Sequence, residues 1–199
     1  MFLEQIKDQL PVLPEKEDVG VLISIRNPHL MNIPIPLQER VRQDILDIIT
    51  RLKEKGYKLI RLLCHDHRDI PFAVSFQEVD YIYTSDTYAY LSLLQSCKLN
   101  ISYRLHATLP CMSFGTPSIK ISYDERASSL MKTIGLDNWN INLLDGDNIA
   151  DKVVERIDNL HSLKRQLKDA KADWNKLHKN MITSLKNFSN DVYKYSQEQ

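Results

Sequence analysis

The pattern of the chain predicts an α/β fold: a Rossmann-like parallel sheet of about five to six strands, helices on both faces, and a long C-terminal helix. Three observations predict it. Short apolar runs rich in β-branched residues alternate with longer segments of helical periodicity, in the order strand, helix, strand, helix. The runs are nearly continuous rather than alternating, as strands buried on both faces are. From about residue 147 the pattern changes to one unbroken helical stripe. The predicted organisation is a Rossmann-like domain over residues 1–146 and a helical extension over residues 147–199, packing on that domain or on a partner.

"VGVLISIR" (Val19 to Arg26) is the first strand, and the proline-marked loop "NPHLMNIPIP" follows it. In "LQERVRQDILDIITRLKEKG", Val41, Ile45, Ile48, Ile49 and Leu52 share one helical face, and Gly56 supplies a stop. "YKLIRLLCH" is the second strand and "VDYIYT" the third, after which Ser85 or Asp86 can cap the helix "TYAYLSLLQSC". "KLNISY" is the fourth, "RLHATLPCMSFG" a short helix, "SIKISY" the fifth strand and "ERASSLMKTIG" another helix. In the tail, apolar residues recur at spacings of three and four from Leu160 through Trp174 to Val192. The opposite face of residues 161–199 carries eight Lys/Arg against four Asp/Glu. Three readings suit such a stripe: packing on its own sheet or a neighbouring domain, a coiled-coil or dimer seam, and docking on a membrane surface. The first is the plainest, and the tail reads as architecture.

Composition narrows the classes of function. With 199 residues, 43% of them hydrophobic and 26% charged, the chain can bury a real core and is not wholly disordered. A formal net charge of zero argues against a dedicated nucleic-acid binder. Cys64, Cys97 and Cys111 are widely spaced with no Cys-x-x-Cys, so neither a disulfide framework nor a zinc knuckle is predicted. A reducing, cytoplasmic setting is expected, since "MFLEQIKDQL" is not a signal peptide and no apolar run approaches the ~20 residues of a transmembrane segment.

Parallel sheets bind ligands beyond the carboxyl ends of their strands. There the sequence puts Arg26, Asn27 and His29, then His65, Asp66, His67 and Arg68, then Ser85 and Asp86, then Arg104 and His106, and last Tyr123 and Arg126. Four arginines and several histidines on one rim, with a helix starting near Arg104, are built for a multiply charged anion. Each residue taken singly also has a plainer role, since strand-end arginines often cap carbonyls or pair with surface carboxylates. "CHDHRD" could suggest a metal, but its spacing matches no established zinc pattern. It reads instead as a polar loop lining a cleft, and no metal or cofactor is predicted.

The segment "ISYRLHATLPCMSFGTPSIKISYDERASSLMKTIGL" (Ile101 to Leu136) resembles the signature of the polysaccharide pyruvyl transferase family. There a strand leads into Arg-Leu-His-(Ala/Ser), a short helix, Gly-x-Pro, a strand ending in Tyr and a helix ending in Gly-Leu. "GVLISIRNP" is similar to the family's strand that ends in a functional arginine, and the resemblance covers roughly residues 18 to 145. It implies transfer of the enolpyruvyl unit of phosphoenolpyruvate onto two hydroxyls of a sugar, as a cyclic ketal, in cell-surface polysaccharide biosynthesis. Arg104 and Arg26 are then expected on the phosphate or carboxylate, because guanidinium binds both groups in bidentate fashion. His106 is expected in proton transfer or leaving-group stabilisation. Arg126, standing where the family usually carries lysine, is an auxiliary anion contact, and His29 is a further candidate by position. Family members resemble two-domain GT-B enzymes, and this chain is similar to the C-terminal half. The implied partners are therefore phosphoenolpyruvate, a saccharide acceptor, and either an N-terminal half-domain or a second copy joined through the C-terminal helix. Two rival readings are a non-catalytic half that binds an anion or docks a partner, and a nucleotide-sugar glycosyltransferase half-domain. The latter lacks its glycine-rich phosphate loop.

Overall fold

In the computed structural model, which describes residues 6–11, 19–146 and 148–197, strand β1 is Val21–Ile25, all five residues buried. Gly20 precedes it with φ of 68°, and a Cβ there would lie 2.3 Å from the carbonyl oxygen of Leu59. That close approach, which glycine alone allows, lets the Val21 N–H reach the same carbonyl at 2.9 Å. Helix α1 (Ile35–Glu54) then buries Val41, Ile45, Ile48, Ile49 and Leu52 against the sheet, the face its periodicity predicts. Strand β2 (Ile60–Cys64) is followed by a short helix α2 (Ile70–Val74), strand β3 (Asp80–Tyr83) and helix α3 (Thr87–Ser96). Of the two residues able to cap α3 it is Asp86 that does so, accepting from the N–H groups of Tyr88 at 2.7 Å and Ala89 at 3.0 Å.

Strand β4 (Leu99–Ser102), helix α4 (Leu105–Phe114), strand β5 (Ser118–Ser122) and helix α5 (Glu125–Thr133) complete the region of predicted alternation. A sixth strand, β6 (Asn140–Asn142), pairs with β5. All neighbouring strands are parallel and the order is β3-β2-β1-β4-β5-β6, so β1 pairs with both β2 and β4. The strand order thus reverses between β1 and β4, the point where a doubly wound sheet opens a crevice. Pleating sends Leu22 and Leu63 to one side, into a cluster with Tyr90, Leu94, Ala107 and Cys111 of α3 and α4. Val21, Ile23, Ile25 and Leu62 face the other side, in the larger cluster that includes α1.

The tail is not one unbroken helix. Helix α6 (Ile149–Asp158) ends at Asn159, and α7 (Leu160–Gln197) begins after it. The Asn159 side-chain amide donates to the Glu155 carbonyl at 2.9 Å, and its own N–H turns to the Arg156 carbonyl at 3.1 Å. Asparagine competes in this way with the helical ladder. The first part of the stripe belongs to the main core, with Leu163, Leu167, Ala170 and Trp174 all buried. Beyond Trp174 the stripe leaves the domain, and Leu177, Met181, Leu185, Phe188 and Val192 are exposed. Among the described residues no helix is long and apolar enough to cross a membrane.

Candidate functional site

Arg26 directly follows β1 and Arg104 lies two residues beyond the end of β4, so adjacency of the two strands brings both arginines to the crevice. Arg104 is the N-cap of α4, in extended conformation (φ −116°, ψ 123°). The Ser102 hydroxyl holds it there, accepting from the Arg104 N–H at 3.0 Å and donating to the Arg104 carbonyl at 2.7 Å. Its guanidinium reaches across to β1, donating from Nε to the Ile25 carbonyl at 3.3 Å and from Nη2 to the carboxylate of Asp69. Asp69 has no exposure to solvent, and its second oxygen accepts the Asn27 N–H at 3.0 Å and lies 3.9 Å from Nη1 of Arg26. One buried carboxylate therefore positions two guanidiniums.

The pairing leaves cationic capacity over. Arginine has five donors; Nη1 of Arg104 and the buried Nε of Arg26 make no hydrogen bond among the described residues. Both side chains border a cavity of about 370 Å³ that is also lined by His106, Lys120, Tyr123 and Arg126. Helix α4 starts at this rim, so the partial positive charge of its N-terminus adds to the field. His106, in the first turn of α4, is exposed. Arg126 is the outermost cation, its side chain 88% exposed and Nη2 donating to Asp124 at 3.2 Å. Of the residues singled out by sequence, Arg26, Arg104, His106 and Arg126 share one cavity. His29 does not line it: the ring is exposed, with Nδ1 3.2 Å from Oε1 of Gln38.

Two groups that organise this cavity were not singled out by sequence. Asp69 was one polar residue among several in "CHDHRD", and nothing in its spacing marks it as the counter-charge. Lys120 carries a clearer signal, a lysine within a run that otherwise reads as a strand buried on both faces. It is 1% exposed, and its ammonium donates to the carbonyls of Ile121 at 2.7 Å and Ser102 at 3.3 Å, 5.7 Å from the Tyr123 ring. Burial pulls its pKa down to about 7; the Asp124 carboxylate opposes that shift and the Arg104 guanidinium adds to it. Cys64, behind Asp69, is the opposite case. Burial, and after it the Asp69 carboxylate, pushes its thiol up to about 12, which makes it an inert core residue.

The rest of "CHDHRD" diverges once β2 ends at Cys64. The His67 side chain is 76% exposed beside Asp66, whereas His65 turns inward. The His65 ring stacks on His106, with centroids 5.5 Å apart and planes 14° from parallel, and meets the Tyr90 ring edge-on at 5.2 Å. Burial first, then Arg104 and His106, lowers the His65 pKa, so this imidazole is neutral at pH 7. His65 also borders a second cavity, of about 420 Å³, at the carboxyl ends of β2 and β3. Among the described residues no three side chains of His, Cys, Asp or Glu converge as a metal ion requires.

Comparison with known proteins was informative in sequence. The family model described as polysaccharide pyruvyl transferase matches residues 3–125, a span that contains Arg26, His29, Arg104 and His106 and stops one residue short of Arg126. The amylovoran biosynthesis protein AmsJ of Erwinia amylovora is 30% identical over 138 residues, which are 60% of this chain and 33% of that protein. The chain thus spans about a third of that relative's length. Among solved structures, the UDP-GlcNAc 2-epimerase of Methanocaldococcus jannaschii, in complex with UDP-GlcNAc and UDP, is 16% identical with a TM-score of 0.49, over 79% of this chain and 41% of that one. The GsuK channel bound to NAD is 14% identical with a TM-score of 0.43, over 70% of this chain and 24% of that one.

Proposed function

The chain belongs to the polysaccharide pyruvyl transferase family, and from that premise we propose that its cationic cavity binds phosphoenolpyruvate for ketal transfer to a saccharide. The observation that carries the reading is the convergence of Arg26, Arg104 and Arg126 on one opening beside the N-terminus of α4. Among the described residues at this opening Asp124 and the enclosed Asp69 stand against them, which leaves a surplus of positive charge for a phosphate and a carboxylate.

In the proposed reaction the methylene carbon of phosphoenolpyruvate takes a proton and becomes the ketal methyl group. Two sugar oxygens bond to C2, the C2–O bond to phosphate breaks, and inorganic phosphate leaves. Of the two hydroxyl protons released, one balances the new methyl C–H and the other leaves on phosphate. His106, exposed at the cavity in the first turn of α4, is the proposed proton carrier. Arg104 and Arg26 hold the acid's anionic groups and stabilise the departing phosphate. The match covers about a third of the relative's length. We infer that ketal transfer needs a second half-domain facing this rim, whether on the same polypeptide or on a partner.

Calorimetric titration of the chain with phosphoenolpyruvate tests the anion site directly. Saturable binding is expected, weakened about 10- to 100-fold in Arg104→Lys, which keeps a charge beside Asp69 but loses the guanidinium fork. Equal affinity in the two proteins, or no binding by the wild type, would overturn the assignment.

A further inference from the structure

The second cavity differs in chemistry from the first. Its lining includes His65, Arg68, Tyr83, Ser85, Thr87 and Tyr90. Its charges are already engaged: Asp66 pairs with Arg68 through Nη2 at 2.5 Å, and Asp86 caps α3. Asp66 and Asp86 outnumber Arg68, so the one unbalanced charge is negative and nothing here attracts an anion. Hydroxyls and aromatic faces dominate, with Tyr83 39% exposed at the rim. Deeper in, the Tyr90 hydroxyl and His65 Nδ1 have no hydrogen-bond partner among the described residues, although Tyr90 is only 7% exposed. Buried polar groups are seldom left unpaired, and each costs roughly 1–3 kcal/mol when it is. Both atoms are enclosed beneath the cavity floor, so a ligand rich in hydroxyls would supply the missing partners once the Tyr90 or His65 side chain turns to admit it, while the tyrosine faces give an apolar platform with a polar edge.

The position of this cavity adds a second argument. His65 lines it and His106 lines the cationic cavity, and the two imidazoles are stacked on each other. The stacked imidazoles thus stand between a site for an anion and a site lined by hydroxyls and aromatic faces. Resting on the reading above, we propose that the cavity at the ends of β2 and β3 is the acceptor subsite, binding a neutral saccharide whose hydroxyls face the His65–His106 stack. The acceptor is then held partly by this chain itself, and the second half-domain completes that site rather than creating it.

Saturation-transfer NMR with methyl β-glucopyranoside and methyl β-galactopyranoside tests this on the full chain, with phosphoenolpyruvate binding measured calorimetrically on the same sample. Transfer to at least one glycoside is expected in the wild type and in the presence of saturating phosphoenolpyruvate. It should fall at least fivefold in Tyr83→Ala, whose exposed edge position leaves the fold intact, and also in Tyr90→Phe, which removes only the hydroxyl. The assignment is overturned if neither glycoside receives transfer, if both variants match the wild type, or if phosphoenolpyruvate abolishes transfer by occupying the same space. Phosphoenolpyruvate binding without glycoside binding removes the acceptor subsite and leaves the anion site standing. Glycoside binding without phosphoenolpyruvate binding does the reverse.

Discussion

Asp69 takes one guanidinium on each of its oxygens, with no solvent in contact. A buried carboxylate so placed tolerates the loss of neither partner, and the partners do not tolerate its loss. Asp69→Asn is expected to cost about 3–5 kcal/mol, read as a lower urea midpoint, because two cations are then left facing each other without a counter-charge. The same reasoning is why Arg104→Lys, and not Arg104→Ala, is the useful probe of anion binding. Lys120 makes a pH prediction. Its folded-state pKa of about 7 lies below the ordinary lysine value of 10.5, so between those values the unfolded chain holds more protons than the folded one. Stability therefore rises with pH across that window, by up to about 1.4 kcal/mol per unit, and the contribution is smallest below pH 7, where a charged ammonium is buried. Denaturant titrations of wild type and Lys120→Met at pH 7 and pH 9.5 check this: the wild type gains relative to the variant as pH rises. A constant difference would show that Lys120 keeps its proton.

Helix α7 has two halves that sequence periodicity does not distinguish. Trp174 is 7% exposed and its indole N–H donates to the Ile134 carbonyl at 2.9 Å, so it ties the helix to the end of α5. Leu185 and Phe188 lie on the same stripe but are 56% and 68% exposed. Trp174→Ala is expected to lose about 3–5 kcal/mol of stability, through lost contacts and a carbonyl left without its donor. Leu185→Gln should stay within about 0.5 kcal/mol of the wild type in the same thermal melt. If both variants melt alike, the helix is not anchored as described. The break at Asn159 belongs to this scale as well. The side chain of one residue redirects the helical ladder, and α6 is left to pack on α1 while α7 takes its own course.

Across the whole molecule, protection should follow the sheet's order. β1 and β4 are central and buried on both faces, whereas the end of α7 has no core beneath it. Hydrogen exchange is expected to be slowest in β1 and β4 and fastest, among the helices, in α7 beyond Trp174; the reverse order would contradict the packing. The alternation of elements, the buried face of α1, a cap at Ser85 or Asp86 and the Arg-Leu-His junction were legible because each is a local pattern, set by periods of two and 3.6 residues and by capping chemistry. The family, too, was legible in the short motif around Arg104 and His106. Asp69, Lys120 and the His65–His106 stack were not legible as parts of a site, since each depends on contacts between segments far apart in the chain. Arg104 meets a carboxylate 35 positions upstream and a β1 carbonyl 79 positions upstream. The amino-acid sequence by itself therefore determined which elements form and which residues reach the strand ends. Tertiary structure alone decided which of those ends become neighbours, because strand order is a balance of long-range burial that no local pattern records.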